Sequence, residues 1–76
     1  MERNIQKHWQ KIIAEIKQVR KDQKISQKRL AAITGISTQT ISRFEQAEED
    51  IQLSTVLKIL DAFGMSLELS FRNGGE

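Results

Sequence analysis

The sequence contains no cysteine and no proline among its 76 residues, and only one histidine and one tryptophan. Without cysteine, the chain has no disulfide bonds, no thiolate nucleophile and no thiolate metal site. The lone His8 has no second ligand at helical spacing, so we predict no metal site and no cofactor. The absence of proline, together with many Lys, Gln, Glu, Leu and Ala residues, favours a helical domain.

Long apolar runs are also missing. The longest runs are too short to cross a membrane, and the amino-terminal residues MERNIQKHWQ lack the apolar core of a signal peptide. We therefore expect a cytoplasmic protein with no membrane partner, and one domain covering residues 1–76. No catalytic constellation and no glycine-rich phosphate loop is present, so an enzyme is the least favoured class.

Charge is distributed unevenly along the chain. Residues 1–30 carry nine Lys/Arg against three Asp/Glu, a net charge of +6, whereas the remainder carries three against seven, a net charge of −4. This polarity suits a domain with one face toward a polyanion, although a lysine-rich helix is also often only a solvated face.

Hydrophobic periodicity predicts four helices. The first covers residues 4–22, where apolar residues recur in steps of three and four. We expect this stripe to face the core or a dimer interface, and it consists of Ile5, Trp9, Ile12, Ile16 and Val19, with Ile13 beside it. The next two helices are predicted from a cap at Ser26 to about Ile33 and, after a cap at Ser37, from Thr38 to about Gln46. A fourth is expected between a cap at Ser54 and a stop at Gly64.

Residues 26–45, SQKRLAAITGISTQTISRFE, are predicted to form two short helices packed across a tight turn. Gly35 tolerates the positive φ that such a turn needs, and the small side chain of Ala31 lets the two helices approach closely. This arrangement is how many proteins present a helix to DNA. The alternative is an ordinary helical hairpin.

The third helix leaves polar side chains on its outer face. Gln39 and Arg43 lie one turn apart, and Arg can fork onto guanine while Gln can pair with adenine. We predict that Thr38, Gln39 and Arg43 contact base edges, with a phosphate contact as the alternative for Arg43. Phosphate contacts are predicted for Gln27, Lys28, Ser37, Thr40 and Ser42. The acidic residues 48–50 argue against backbone contacts from the loop after this helix, because carboxylates near phosphate are repelled.

After Gly64 the pattern changes from helical to alternating. Over residues 65–72 one side carries the apolar residues Met65, Leu67, Leu69 and Phe71, which predicts a strand. The chain offers no second strand to pair with it. We therefore predict that the strand pairs with its copy in a homodimer, with these four residues at the interface.

The pattern of Gln27, Ala31, Gly35, Ile41, Phe44 and Glu45 resembles the helix-turn-helix of the Cro/C1-type family, also called the xenobiotic response element (XRE) family, over about residues 12–64. The resemblance implies a mainly α, lambda-repressor-like fold, here with four helices followed by the predicted strand. The later stretch LSTVLKILDAFGMSLELSFR is similar to HipB-like antitoxins. That likeness implies a sheet shared by two subunits and a HipA-like kinase toxin as a partner.

Three features depart from the family pattern. Lys24 stands at a turn where the family usually has glycine, so a positive φ there costs about 1 kcal/mol. Ile33 is apolar where a polar residue is common, and we expect the first helix to cover it. Residues 1–11 extend beyond the usual family start and could support a dimer or partner contact.

Together these features predict a sequence-specific DNA-binding repressor. A homodimer would read half-sites about 34 Å apart, or a multiple of that distance, on an inverted-repeat operator. Two versions remain open. One is the HipB-like antitoxin of a toxin–antitoxin operon, and the other is a stand-alone regulator of phage or restriction type with no toxin partner.

Overall fold

The computed structural model describes residues 2–48 and 51–68. Over these ranges the chain forms four helices, α1 (Glu2–Asp22), α2 (Gln27–Thr34), α3 (Thr38–Glu45) and α4 (Leu53–Ala62). Helix α2 contacts both α3 and α4, and α1 contacts α3. The prediction of a mainly helical, four-helix helix-turn-helix arrangement is confirmed.

All four helices contribute to one apolar core. Its buried members are Ile13, Ile16, Leu30, Ile41, Phe44, Val56, Ile59 and Leu60. Fully burying an apolar side chain of this size contributes roughly 1.5–3 kcal/mol to folding. Because α2 and α3 each place side chains in this cluster, the core holds the two helices in a fixed relation to each other.

Helix α1 buries less of its apolar stripe than the periodicity predicts. Ile13 and Ile16 are buried, whereas Ile5 is 63% exposed and Ile12 is 39% exposed. The three helices that follow are short, so they cover only part of a helix of 21 residues. Ile33 is 50% exposed, and the expectation that α1 covers it is wrong. A dimer contact for Ile5 and Ile12 stays a prediction.

Serine side chains start two of the helices as predicted. The Ser26 Oγ accepts a hydrogen bond from the Arg29 backbone N–H at 3.0 Å, and the Ser37 Oγ accepts one from Thr40 at 3.1 Å. The predicted cap at Ser54 is wrong, because α4 begins earlier and has Gln52 as its N-cap, without a side-chain capping bond. Ser54 therefore lies inside the first turn, too far along to cap it.

Three of the helices end in the same kind of turn, the Schellman motif. The residue after the cap takes a left-handed conformation, with φ of 59° at Lys24, 58° at Ala47 and 70° at Gly64. The next backbone N–H then returns to a carbonyl five residues back, in the pairs Ile25–Arg20, Glu48–Arg43 and Met65–Leu60 at 3.1, 3.4 and 2.9 Å. The positive φ considered for Lys24 is thus present, and Ala47 is a second non-glycine residue in the same conformation.

The strand predicted over residues 65–72 is not confirmed. Within the described part, Met65 to Glu68, the chain has no regular secondary structure. A single copy supplies no partner for the backbone donors and acceptors of such a strand. Met65 is 39% exposed and Leu67 is 46% exposed, while Leu69 and Phe71 lie outside the described residues.

Candidate nucleic-acid interface

Helix α3 has one buried and one exposed face. Ile41 and Phe44 are buried at 0% and 1% exposure, while Thr38, Gln39 and Arg43 are exposed. The turn that sets α2 against α3 is closed by Gly35, whose φ is 77° and whose N–H donates to the Ala31 carbonyl at 2.9 Å. The three predicted base-reading side chains therefore share the solvent side of a helix that the core holds in place.

Arg43 is already engaged within the chain. Its Nε donates to the Glu48 Oε1 at 2.9 Å, and the two side chains are 53% and 41% exposed. The two terminal nitrogens of Arg43 form no hydrogen bond with any residue that the structure describes. They therefore leave a forked donor pair on the outer face of α3.

The hydroxyl groups predicted to bind phosphate form hydrogen bonds with nearby side chains of the same segment. The Ser37 Oγ donates to the Thr40 Oγ1 at 2.8 Å, which leaves the Thr40 hydroxyl proton available to a further acceptor. The Ser42 Oγ accepts from the Gln46 amide at 3.4 Å and likewise keeps its own proton. The Thr40 and Ser42 hydroxyl groups can each still donate one hydrogen bond to an anionic oxygen, whereas Ser37 would first have to release Thr40.

The start of α2 combines an exposed lysine with a helix N-terminus. Lys28 is exposed, and neither α2 nor α3 has an acidic residue in its first turn. Unpaired N–H groups at helix starts favour anions. Gln27 is partly engaged, since its amide donates to the Glu45 Oε1 at 2.9 Å. That amide retains a second N–H.

A buried ion pair links α1 to α3. The Arg20 Nε and Nη2 donate to the two carboxylate oxygens of Glu45 at 2.5 and 3.0 Å, and the Arg20 Nη1 donates to the Ile25 carbonyl at 2.6 Å. Both residues are only 9% exposed. No buried side-chain nitrogen or oxygen in the described ranges lacks a partner. The pair therefore fixes α3 against α1 without leaving an unpaired charge.

The surroundings of Glu45 shift its pKa. Burial alone would raise the pKa of this carboxyl group. The hydrogen bonds from Arg20 and Gln27, with the positive charges of Arg20 and Lys17, outweigh that effect and hold the pKa of Glu45 below its ordinary value. Glu45 is therefore an ionised acceptor at neutral pH.

Two parts of this arrangement were not predicted from the sequence. The pairing of Arg20 with Glu45 joins residues 25 positions apart, and no local spacing reveals it. The pairing of Arg43 with Glu48 crosses the end of a helix and could have been inferred, because a Schellman motif brings the third-last helical residue beside the second residue after the cap. Beside these contacts lies a shallow groove of about 300 Å³, which is lined by Thr40, Arg43, Ile51, Gln52 and Thr55.

Residues 2–48 and 51–68 contain no group of three His, Cys, Asp or Glu residues that could hold a metal ion. None of the described helices is long and apolar enough to cross a membrane.

An exposed polar helix, held by a second helix across a glycine turn, defines a helix-turn-helix domain of the DNA-binding class. A family model described as helix-turn-helix matches residues 16–69. The chain belongs to this family, of the Cro/C1 (XRE) type.

A curated relative points the same way. Over 52 residues, 68% of the chain, the sequence is 38% identical to a protein of Methanosarcina acetivorans named "Putative HTH-type transcriptional regulatory protein". The chain spans 16% of the length of that relative. No solved structure matches the chain.

Proposed function

We propose that this chain is a sequence-specific DNA-binding domain, formed by residues 1–76, that represses transcription as a homodimer. Each copy inserts α3 into the major groove, and the two copies read an inverted repeat with half-sites about 34 Å apart or a multiple of that distance. The observation that carries the proposal is the exposure of Thr38, Gln39 and Arg43 on a helix whose other face is in the core. A non-enzymatic role and a cytoplasmic location, where the DNA is, belong to the same proposal.

Phosphate contacts orient the domain in this proposal. Lys28 and the amide of Gln27 bind one stretch of backbone at the start of α2, while Ser37, Thr40 and Ser42 bind another along α3. Such contacts fix the register of α3 on the duplex but carry no sequence information. Thr38, Gln39 and Arg43 supply that information through the base edges.

Dimerisation completes the operator reader. The apolar side chains of Met65 and Leu67 are exposed in the single chain, which leaves them available to a second copy. The alternation that continues through Leu69 and Phe71 supports pairing of two equivalent strands. This pairing also underlies the more specific proposal of a HipB-like antitoxin with a HipA-like kinase toxin. The alternative is a stand-alone regulator with no toxin partner.

Selection of bound duplexes from a random pool tests the proposed function directly. We expect enrichment of an inverted repeat with a fixed spacing between half-sites, because two copies of α3 are held in one dimer. Enrichment of a single half-site would contradict the dimeric mode, and no enrichment at all would contradict sequence-specific binding. Co-purification of the chain with the product of a neighbouring gene distinguishes the antitoxin from the stand-alone regulator.

A further inference from the structure

The turn after α3 brings Glu48 back beside Arg43. Ala47 has a φ of 58°, its N–H donates to the Phe44 carbonyl at 2.9 Å, and the Glu48 N–H points to the Arg43 carbonyl at 3.4 Å. In a Schellman motif these positions are neighbours in space. The backbone of the turn thus places a carboxylate next to the arginine predicted to contact bases.

Glu48 is also held from the opposite side. The indole Nε1 of Trp9, on α1, donates to the Glu48 carbonyl oxygen at 3.4 Å, across 39 positions of sequence. The Glu48 residue as a whole is partly buried, while its carboxylate accepts a hydrogen bond from the Arg43 Nε at 2.9 Å. The acceptor therefore sits on a backbone fixed by both α1 and α3.

Neither stability nor attraction to DNA accounts for this pair. With side-chain exposures of 53% and 41%, it belongs to a class of surface ion pairs that contribute little to folding. A carboxylate beside a DNA-contacting face weakens binding, because phosphate repels it. Among the described residues, however, the pair occupies only the Nε of Arg43, so both terminal nitrogens keep their N–H donors for another acceptor.

We propose that Glu48 is a positioning residue that orients Arg43 for forked, end-on recognition of guanine. This inference rests on the proposed function, in which α3 lies in the major groove. Holding the Nε fixes the plane of the guanidinium group, so that its terminal nitrogens meet the O6 and N7 of one guanine. Ordering the side chain before binding also lowers the entropy lost on binding.

Two substitutions with the same change of charge separate orientation from repulsion. Glu48→Ala removes the acceptor, whereas Glu48→Gln removes the charge but keeps an amide oxygen that accepts from the Arg43 Nε. Both variants, with Arg43→Ala and the Arg43→Ala/Glu48→Ala pair, are tested on the duplex selected by the unmodified chain. The guanine that Arg43 contacts is identified as the position at which Arg43→Ala loses its base preference. Matched duplexes then carry adenine or 7-deazaguanine at that position.

We expect Glu48→Ala to lower the preference for guanine over adenine by about tenfold, within the range of one forked contact. Its affinity for unrelated duplexes should rise, because a repulsive charge is lost. Glu48→Gln should show the same rise and keep most of the guanine preference. In the Arg43→Ala background, Glu48→Ala should lower the preference no further, because the two residues act as one unit.

A second measurement does not require DNA. In proton–nitrogen NMR spectra of the free chain, the Nε–H of Arg43 should exchange with solvent faster in Glu48→Ala than in the unmodified chain or in Glu48→Gln. Circular dichroism and thermal unfolding should agree among all three, because the pair is exposed. Unchanged exchange in Glu48→Ala would count against the orienting contact.

Three results would overturn the positioning role, and they show whether the proposed function has failed with it. If both Glu48 variants gain affinity for every duplex with the guanine preference intact, Glu48 only repels phosphate and the positioning role is overturned. If Glu48→Ala sharpens the preference, the pair sequesters Arg43 and the proposal is again overturned. If the unmodified chain prefers no duplex, the proposed function itself has failed, and the positioning role fails with it.

Discussion

At the scale of single residues, Glu45 is the point where the inner polar contacts converge. It accepts hydrogen bonds from Arg20 on α1 and Gln27 on α2, although it belongs to α3. Removing one member of a buried ion pair leaves the other charge uncompensated and costs about 3–5 kcal/mol. Glu45 thus connects the stability of the fold to the position of the helix proposed to contact DNA.

Stability should depend on the ionisation of Glu45. Because its pKa in the folded chain lies below the ordinary value of 4.5, its contribution is complete above that value and is lost as the pH falls through the folded pKa. We expect Glu45→Gln to lower the free energy of unfolding by about 3 kcal/mol at pH 7. Urea unfolding between pH 7 and pH 3 should show this difference narrowing on acidification.

A constant difference across that pH range would contradict the assignment to Glu45. If Glu45→Gln does not fold, Gln27→Ala provides a milder variant, because it removes one hydrogen bond worth about 1 kcal/mol. Losing that bond should also move the pKa of Glu45 toward its ordinary value, so the acid-induced loss of stability should be smaller and should be complete at a higher pH.

Substitution of Arg43 should show whether this residue contacts a base or a phosphate. We expect Arg43→Ala to weaken binding to the selected operator by about 1–3 kcal/mol and to spare binding to unrelated duplexes. Arg43→Lys is the matched control, because it keeps the positive charge and loses the planar fork. Titrations on both duplexes should show Lys behaving like Ala on the operator. A Lys variant equal to the unmodified chain, or an equal loss on all duplexes, would assign Arg43 to the phosphate backbone.

At the scale of the elements, two helix ends carry a residue that disfavours their conformation. Lys24 and Ala47 both have positive φ, which costs an L-residue with a β-carbon roughly 1–2 kcal/mol. The third such end, after α4, has Gly64 in the same position and carries no such cost. The motif is therefore maintained at Lys24 and Ala47 by its hydrogen bonds and by the packing around it.

Glycine at Ala47 should stabilise the chain. We expect Ala47→Gly to raise the free energy of unfolding by about 1 kcal/mol, because glycine adopts the left-handed conformation without strain. Ala14→Gly, at an exposed position inside α1, is the matched control and should lower stability by a similar amount. Urea unfolding of both variants measures these two opposite changes in the free energy of unfolding. A loss of stability in Ala47→Gly would show that the strain at this turn is not relieved by removing the β-carbon.

The elements that sequence predicted well are those defined by local chemistry. The serine caps of α2 and α3 and the left-handed Gly35 follow from residues within one turn of each helix end. The exposed Ile5 and Ile12 could not be recognised, because periodicity identifies an apolar stripe but not how far the other helices extend along it. The start of α4 failed for a related reason, since a serine favours a cap without specifying which residue starts the helix.

The candidate site also combines features that the sequence predicts with features that it does not. The outward positions of Thr38, Gln39 and Arg43 were predictable, because helical spacing alone places them opposite Ile41 and Phe44. The contact of Gln27 with Glu45 was not predictable, because it joins side chains of two different helices. Tertiary structure therefore changes which donor atoms remain free, while the face they occupy follows from the sequence.

At the scale of the whole molecule, the described chain leaves apolar side chains exposed in more than one region. Leu53 and Leu57 on α4 are 60% and 44% exposed, in addition to Ile5 on α1 and Leu67 after α4. Scattered exposed apolar residues are normal in a small protein, so exposure alone does not identify an interface. Substituting one apolar residue in each region tests which region forms the dimer interface.

Charge introduced at the proposed strand should abolish the dimer. We expect Leu67→Lys and Leu69→Lys to give monomers with weak operator affinity, because a buried unpaired lysine opposes association and one half-site alone binds poorly. Leu57→Lys is the matched control and should remain dimeric, while Ile5→Lys tests the alternative dimer contact on α1. Sedimentation equilibrium measures all four. Monomers from Ile5→Lys or Leu57→Lys, with a dimer retained by Leu67→Lys, would move the interface to α1 or α4.

Trp9 has a practical consequence for following this molecule in solution. It is the single tryptophan of the chain, and its indole N–H contacts the backbone of Glu48 directly after α3. Because indole emission depends on local polarity and hydrogen bonding, the intrinsic fluorescence of the unlabelled protein is an optical signal from this junction. Detachment of α1 from the segment that follows α3 is therefore visible as a change of emission, with no dye attached near the surface that would meet DNA.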